Sequence, residues 1–170
     1  MRSEISIAIA ASPELVFRLA ADPLRWPALL PHYAHARALS QRGGANMGDS
    51  LVAEFVARRP LLPVLGLALP VAWRSRTWAD AAQLRLRFQH LGGATGGMDV
   101  TWRIEAEGAG CRVTIEHEFA PLWPGGGLWA RFIERGFVRP IAGRTLATFK
   151  AIAEAVGSEP SPARVPGDQA

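Results

Sequence analysis

The chain has 170 residues, of which 49% are hydrophobic and 20% are charged, and its formal net charge is +4. That length and apolar content predict one domain with a core of its own. All but one of the 19 basic residues are arginine, and they are scattered along the chain. This pattern excludes the basic stripe that is typical of nucleic-acid-binding proteins, so we expect no nucleic-acid partner.

The cysteine content and the N-terminal residues bear on the compartment. A single cysteine, Cys111, excludes an internal disulfide and a multi-cysteine metal site. The N-terminus lacks a basic region followed by an unbroken apolar run, so it does not predict a signal peptide. No window approaches the roughly 20 apolar residues of a membrane-spanning helix. We therefore expect a cytoplasmic protein.

The chain begins with a predicted strand and two short helices. Isoleucines at alternate positions from Ile5 to Ile9 predict a strand with one buried face. Ser12-Pro13-Glu14 combines a helix N-cap, a proline at the first helical position and an acid in the first turn. Asp22-Pro23 repeats this start signal, which predicts a second short helix.

Six strands and one long helix follow. Three strands are predicted at 35–41, 50–59 and 71–79. The clearest alternation of apolar and polar side chains predicts three more, joined as hairpins, at 84–90, 98–104 and 113–119. The helix is predicted at 128–156 from apolar residues at spacings of three and four. They are Trp129, Ile133, Phe137, Ile141, Thr145, Phe149, Ile152 and Val156.

Two residues modify this last helix. Pro140 lies inside the pattern and predicts a kink or break, because proline lacks a backbone N–H and crowds the preceding turn. Gly157 is a natural helix stop. The composition of 157–170, rich in Pro, Ser and Gly, predicts a disordered tail.

Together these elements predict a single α+β domain over residues 1–156. An antiparallel sheet of seven strands needs a cover for its apolar face, and the terminal helix is the only element long enough. A sheet curved around the helix leaves a space between them, which the two short helices close at one end. Such a space is a ligand cavity, for which we expect a volume of at least ~300 Å³.

The order of the elements, and three stretches in particular, resemble the START and polyketide cyclase/dehydrase (SRPBCC) superfamily. The first strand, paired helices and second strand of that superfamily resemble "ISIAIAASPELVFRLAADPLRWPALLPHYAHARAL". Its penultimate hairpin and its terminal helix resemble "GGMDVTWRIEAEGAGCRVTIEHEFAP" and "FVRPIAGRTLATFKAIAEAV". The resemblance implies a helix-grip fold, a seven-stranded antiparallel sheet wrapped around a long C-terminal helix. The superfamily includes cyclases, quinone-binding proteins and lipid carriers.

Within the superfamily, the chain most resembles the bacterial aromatase/cyclases that fold poly-β-ketone chains, through "WPALLPHY" and "VAWRSRT". The resemblance implies a cavity lined by Trp26, Tyr33, Trp73 and Ser75. It also implies an arginine two residues after this serine, where this chain has Thr77. Arg76 is adjacent but belongs to the opposite face of a regular strand, unless a bulge turns it inward.

Strand alternation gives an independent set of inward-facing side chains. They are Trp73, Ser75, Thr77, Phe88, His90, Met98, Val100, Trp102, His117 and Phe119. From the two sets we predict ligand-binding roles for Trp26, Trp73, Ser75, Thr77, Phe88, His90, Met98 and Trp102.

Tyr33 and His117 are the catalytic candidates, and each has a structural alternative. His117 is either a histidine bonded to a neighbour, or a general base or donor to a bound carbonyl. Tyr33 either holds a ligand oxygen or is an ordinary half-buried tyrosine. Pairing through the two hairpins predicts Val100 opposite both Phe88 and His117. His90 and His117 are then roughly 11–12 Å apart, too far for one metal ion, so we predict no metal. We also predict no cofactor.

The segment 60–72 is apolar, contains three prolines and has basic flanks. We interpret it as a loop, either a lid over the cavity mouth or a peripheral membrane contact. The expected ligand is a hydrophobic small molecule, whether aromatic, polyketide, quinone or lipid. The expected function is that of an aromatase/cyclase, and the alternative is a non-catalytic quinone or lipid carrier.

Overall fold

The computed structural model describes residues 2–44, 47–62, 67–93, 95–119, 131 and 134–158. Its elements in chain order are β1 (Arg2–Ile9), α1 (Pro13–Ala20), a 3-10 turn (Pro23–Arg25), α2 (Trp26–Leu29), β2 (Tyr33–Gly44), β3 (Met47–Leu62), β4 (Leu67–Asp80), β5 (Arg85–Gly93), β6 (Met98–Glu107), β7 (Gly110–Phe119), a π-helical segment (Glu134–Val138) and α3 (Arg139–Gly157). The predicted order of elements is confirmed.

All seven strands form one sheet in the order β1-β7-β6-β5-β4-β3-β2, and each neighbouring pair is antiparallel. The predicted α+β helix-grip fold is therefore confirmed. β1 and β2 are consecutive in the chain yet form opposite edges of the sheet, so α1 and α2 carry the chain from one edge to the other. The predicted register is confirmed in the centre, where Val100 lies opposite both Phe88 and His117.

α1 and the 3-10 turn that leads into α2 begin where the capping signals place them. The Ser12 hydroxyl accepts a hydrogen bond from the backbone of Leu15 at 3.3 Å. The Asp22 carboxylate does the same for Leu24 at 3.1 Å. Each cap satisfies a backbone N–H that the first helical turn leaves without a partner.

The prediction of a loop at 60–72 is wrong, because strands extend into this segment from both sides. β3 continues to Leu62 and β4 begins at Leu67, with Pro60 opposite Ala68; residues 63–66 lie outside the described ranges. The described pairs of β5 with β4 begin at Trp73, so this hairpin end is a two-stranded ribbon. Prolines are tolerated there because N–H groups on the outer sides of a ribbon have no ladder partner to lose.

The terminal helix changes its geometry close to Pro140, as the predicted kink or break requires. Residues Glu134–Val138 form a π-helix, and α3 follows with the proline in its first turn. Residues 128–130 and 132–133 of the predicted helix, and 159–170 of the predicted tail, lie outside the described ranges. No helix within those ranges has the length and apolar composition that crossing a membrane requires.

The buried face of α3 is rotated from the predicted stripe. Thr145 and Phe149 are buried as expected, but Val156 is 47% exposed. Contacts at the helix end explain this: the Lys150 ammonium donates to the Ala8 carbonyl at 2.9 Å, and the Glu154 carboxylate accepts from the Ala10 backbone at 2.8 Å. These bonds anchor the second half of α3 to the end of β1.

Candidate ligand-binding site

Trp26 stands at the centre of an aromatic cluster between the sheet and α3. Its ring centroid lies 5.2 Å from that of Tyr33, 5.6 Å from that of Trp102 and 6.0 Å from that of Phe149. Its indole N–H donates to the Ala20 carbonyl at 3.1 Å, which fixes the ring against α1. The cluster therefore fills the space between the sheet and the middle of α3.

The inner cavity is the space left between this cluster, the sheet and helical residues 137–145. Eight of the residues selected from the sequence line it: Trp26, Tyr33, Trp73, Phe88, His90, Met98, Trp102 and His117. Its volume is about 80 Å³, so the expected ~300 Å³ is wrong. The large rings of the aromatic cluster occupy the difference.

Ser75 and Thr77 do not line the inner cavity, which corrects the expectation for both. Their side chains are buried on the inward face, as alternation predicts. The Ser75 hydroxyl, however, donates to the Gln89 carbonyl at 3.2 Å, and the Thr77 hydroxyl donates to the Leu51 carbonyl at 3.2 Å. Both hydroxyls are thus bound to neighbouring strands.

Arg76 does not reach the inner cavity either. Its neighbours Ser75 and Thr77 are buried, whereas Arg76 is partly exposed on the other face of β4. The pairing of β4 with β5 does contain an irregularity, between Arg74 and Ser75. That irregularity lies before Arg76 and leaves the alternation from Trp73 to Thr77 intact.

His90 is a buried wall residue and does not sit at the rim. β5 places its ring parallel to that of Trp73, with 5.8 Å between the centroids. Its Nδ1 lies 2.6 Å from the Thr95 hydroxyl in the turn that follows. Burial, and then the nearby His117, lower the pKa of His90 to about 3. The ring is therefore neutral at physiological pH.

His117 combines burial with an unused polar atom. β7 holds it opposite Val100, and it is 5% exposed. Its Nδ1 is buried and has no hydrogen-bond partner among the described residues. Burial lowers the pKa of His117 from its usual 6.5 to about 4, so a neutral imidazole lies in a mostly apolar lining.

A hydrogen-bonded group around Thr145 forms the wall next to Tyr33. The Thr145 hydroxyl donates to the Ile141 carbonyl at 2.9 Å, and His32 Nε2 lies 2.9 Å from the same oxygen. Burial raises the pKa of Tyr33 above its usual range, and a hydrogen bond with Thr145 partly offsets this. One hydroxyl has one hydrogen and two lone pairs, so it can donate to Ile141 and accept from His32 and Tyr33.

His32 was not selected from the sequence. It is 7% exposed, and burial followed by the charge of Arg144 lowers its pKa to about 4. The signal that would have found it is Thr145, a polar residue on the apolar stripe of the terminal helix. A buried hydroxyl there requires a polar partner, and a polar residue next to the predicted Tyr33 is the natural candidate for that partner.

The fold is shared with solved structures of low sequence identity. A protein of Thermus thermophilus superposes with a TM-score of 0.70 at 23% identity, over 93% of this chain and 100% of that one. The Zhui aromatase/cyclase of Streptomyces sp. R1128 gives 0.70 at 21% identity, over 91% and 93%. A START superfamily protein of Mycobacterium smegmatis gives 0.55 at 15% identity, over 93% and 97%.

No curated protein matches the sequence. The family described as polyketide cyclase/dehydrase and lipid transport matches residues 1–154, which is nearly the whole of the described structure. That match agrees with the sheet order, the terminal helix and the cavity between them. The chain belongs to the polyketide cyclase/dehydrase and lipid transport family.

Proposed function

We propose that residues 1–156 form one domain that binds a hydrophobic, aromatic or polyketide-like molecule in the inner cavity and acts on it as an aromatase/cyclase. The observation that carries this proposal is the unpartnered Nδ1 of His117 in a mostly apolar wall. A buried polar atom without a partner costs about 1–3 kcal/mol. A ligand O–H group in the cavity that donates to this nitrogen would remove that cost.

Cyclisation requires a proton to move and a carbonyl oxygen to be held. Neutral His117 can take a proton from a methylene that lies between two carbonyls. The resulting carbanion adds to a third carbonyl carbon, and the proton passes to that carbonyl's oxygen. Tyr33, which its raised pKa keeps protonated, would hold one of these oxygens by turning its O–H from Thr145 to the ligand. Fixing the chain in a reactive conformation supplies further rate enhancement.

A ligand of that kind needs more room than about 80 Å³, so binding has to widen the cavity. The most suitable wall is the π-helical segment, which contributes Phe137 and Val138 to the lining. π-helical turns are rare and frequently lie at functional sites. The anchored second half of α3 would stay in place while the π-helical segment moves outward.

Tyr33→Phe and His117→Ala are each expected to reduce product formation at least ~10-fold, about 1.4 kcal/mol of barrier, because each removes a group that contacts the reacting atoms. Ligand binding should stay largely intact, since most of the remaining lining is apolar. The measurement is first-ring cyclisation of a polyketide chain, with binding followed by quenching of tryptophan fluorescence.

His35→Ala is the control, because His35 is exposed on β2 and is not part of the cavity. It should leave turnover unchanged. Unchanged turnover in both Tyr33→Phe and His117→Ala would refute the acid–base roles. Binding without turnover in the parent protein would favour the second candidate, a carrier.

Two observations favour that second candidate, a non-catalytic carrier of a quinone or lipid. The cavity lining has no polar group from Arg76, Ser75 or Thr77. Few polar groups are therefore left for catalysis. At the ribbon end of β3–β4, Leu69 is 39% exposed and lies between the exposed Ala68 and Pro70. An apolar projection of this kind suits a peripheral membrane contact.

Leu69→Ser is expected to weaken binding to lipid vesicles about 5-fold, roughly 1 kcal/mol, because less apolar area enters the bilayer. Co-sedimentation with vesicles that contain anionic lipid measures this. Leu39→Ser is the matched control, since Leu39 is 42% exposed on β2 and away from the ribbon. Equal effects of the two substitutions, or none, would exclude the ribbon as the membrane contact.

A further inference from the structure

A second depression, the outer cleft, is separate from the inner cavity. Among the residues that the structure describes, the two share no lining residue. It has a volume of about 260 Å³ and is lined by Pro31, His32, Arg58, Arg144 and Thr148. The backbone N–H of Arg58 donates to the His32 carbonyl at 2.7 Å, which ties the residue before β2 to β3. The cleft is therefore held between the sheet edge and α3.

The outer cleft has an excess of positive charge. Among the described residues that line it, two are arginines and none is acidic. Within the described part of the chain, neither Arg58 nor Arg144 has an ion pair, whereas Arg37 on β2 and Arg74 on β4 both pair with Glu54. The Arg144 charge also lowers the pKa of His32, so its guanidinium lies within electrostatic reach of the imidazole.

The imidazole of His32 is fixed in one tautomer. Because the Thr145 hydroxyl gives its hydrogen to Ile141, its oxygen must accept from His32 Nε2. In the neutral ring Nδ1 then carries no hydrogen and has a free lone pair. The His32 ring lies beside Arg144, and its Nδ1 becomes a hydrogen-bond donor only when the ring takes up a proton.

We propose that the outer cleft is a binding site for an oxyanion, a phosphate or a carboxylate, held by Arg144 and Arg58. Arginine is the side chain best suited to such groups, because its planar N–H donors match two oxygens at once. The bound anion offsets the Arg144 charge and accepts from His32 Nδ1 when that ring is protonated. His32 then links the anion through Thr145 to Tyr33 in the cavity wall.

Inorganic phosphate is the probe, with calorimetry for affinity and NMR titration of the His32 ring as a second readout. The parent protein should bind phosphate, and saturating phosphate should shift the titration of His32 to higher pH. Arg144→Gln should weaken binding at least ~10-fold. Arg87→Gln is the matched control, because Arg87 is exposed on β5 and lines neither space.

Absence of phosphate binding in the parent, or equal weakening by Arg144→Gln and Arg87→Gln, would overturn the proposal. An alkyl phosphate separates two sources of the anion. If it binds more tightly than phosphate and quenches tryptophan fluorescence, the anion is the head of a molecule whose tail enters the inner cavity. If it binds equally without quenching, the anion is free. These results do not depend on turnover, so they are independent of the aromatase/cyclase proposal.

Discussion

Lowering the pH from about 7 to about 4.5 is expected to reduce the free energy of unfolding by on the order of 2 kcal/mol for each of three buried histidines. Burial lowers the pKa of His32 and His117 to about 4, and that of His90 to about 3. In the unfolded chain these rings take up protons near their usual 6.5. The unfolded state therefore binds more protons across this range, and acid favours it.

The stability that depends on keeping these rings neutral is fully present above pH ~6.5 and is lost as the pH falls toward ~4. Urea unfolding at several pH values measures it. His117→Gln should reduce by about one the number of protons that the protein takes up on unfolding, which sets the slope of stability against pH. A flat profile for the parent protein would contradict the assignment of three neutral buried rings.

Trp26→Ala is expected to destabilise the fold by about 3–5 kcal/mol, the usual cost of truncating a buried tryptophan. Trp26 is 3% exposed and contacts aromatic rings of α3 and of the sheet. Its removal would join the vacated space to the inner cavity. The surrounding rings cannot close that space without losing contacts of their own, so a large part of the cost remains.

Chemical denaturation measures the loss, and added indole should recover part of it by filling the space, since a ligand that binds only the folded state stabilises it. Trp78→Ala is the matched control, because Trp78 is partly exposed and alternates to the other face of β4. Its loss should be clearly smaller. Equal losses of stability in the two variants, or no recovery with indole, would show that Trp26 does not fill the space between the sheet and α3.

The central strands were predictable because their alternation is strict. From that alternation the sequence predicted both the register around Val100 and the inward direction of Phe88 and His117. The strand segments at 60–62 and 67–72 were not predictable in the same way, since proline counts against a strand. The exception is a strand segment whose outer side has no neighbour, and on β4 that depends on where β5 ends.

The candidate site was predictable in its positions but not in its hydrogen bonds. Alternation correctly turned Ser75 and Thr77 inward, yet it cannot show that their hydroxyls bind strand carbonyls. The cavity volume depends on how the Trp26 ring packs against α3, and periodicity carries no information about that packing. His32 lies between two elements, where no period applies.

The sheet order also has a consequence for synthesis of the protein. β1 is made first, but its partner is β7, with Ile9 opposite Cys111. At 5–20 residues per second, a ribosome takes roughly 5–20 s to make the chain between these strands. During that interval β1, with its alternating isoleucines, has no neighbouring strand. Folding from the ribosome therefore depends on keeping this first strand away from other chains until the last one emerges.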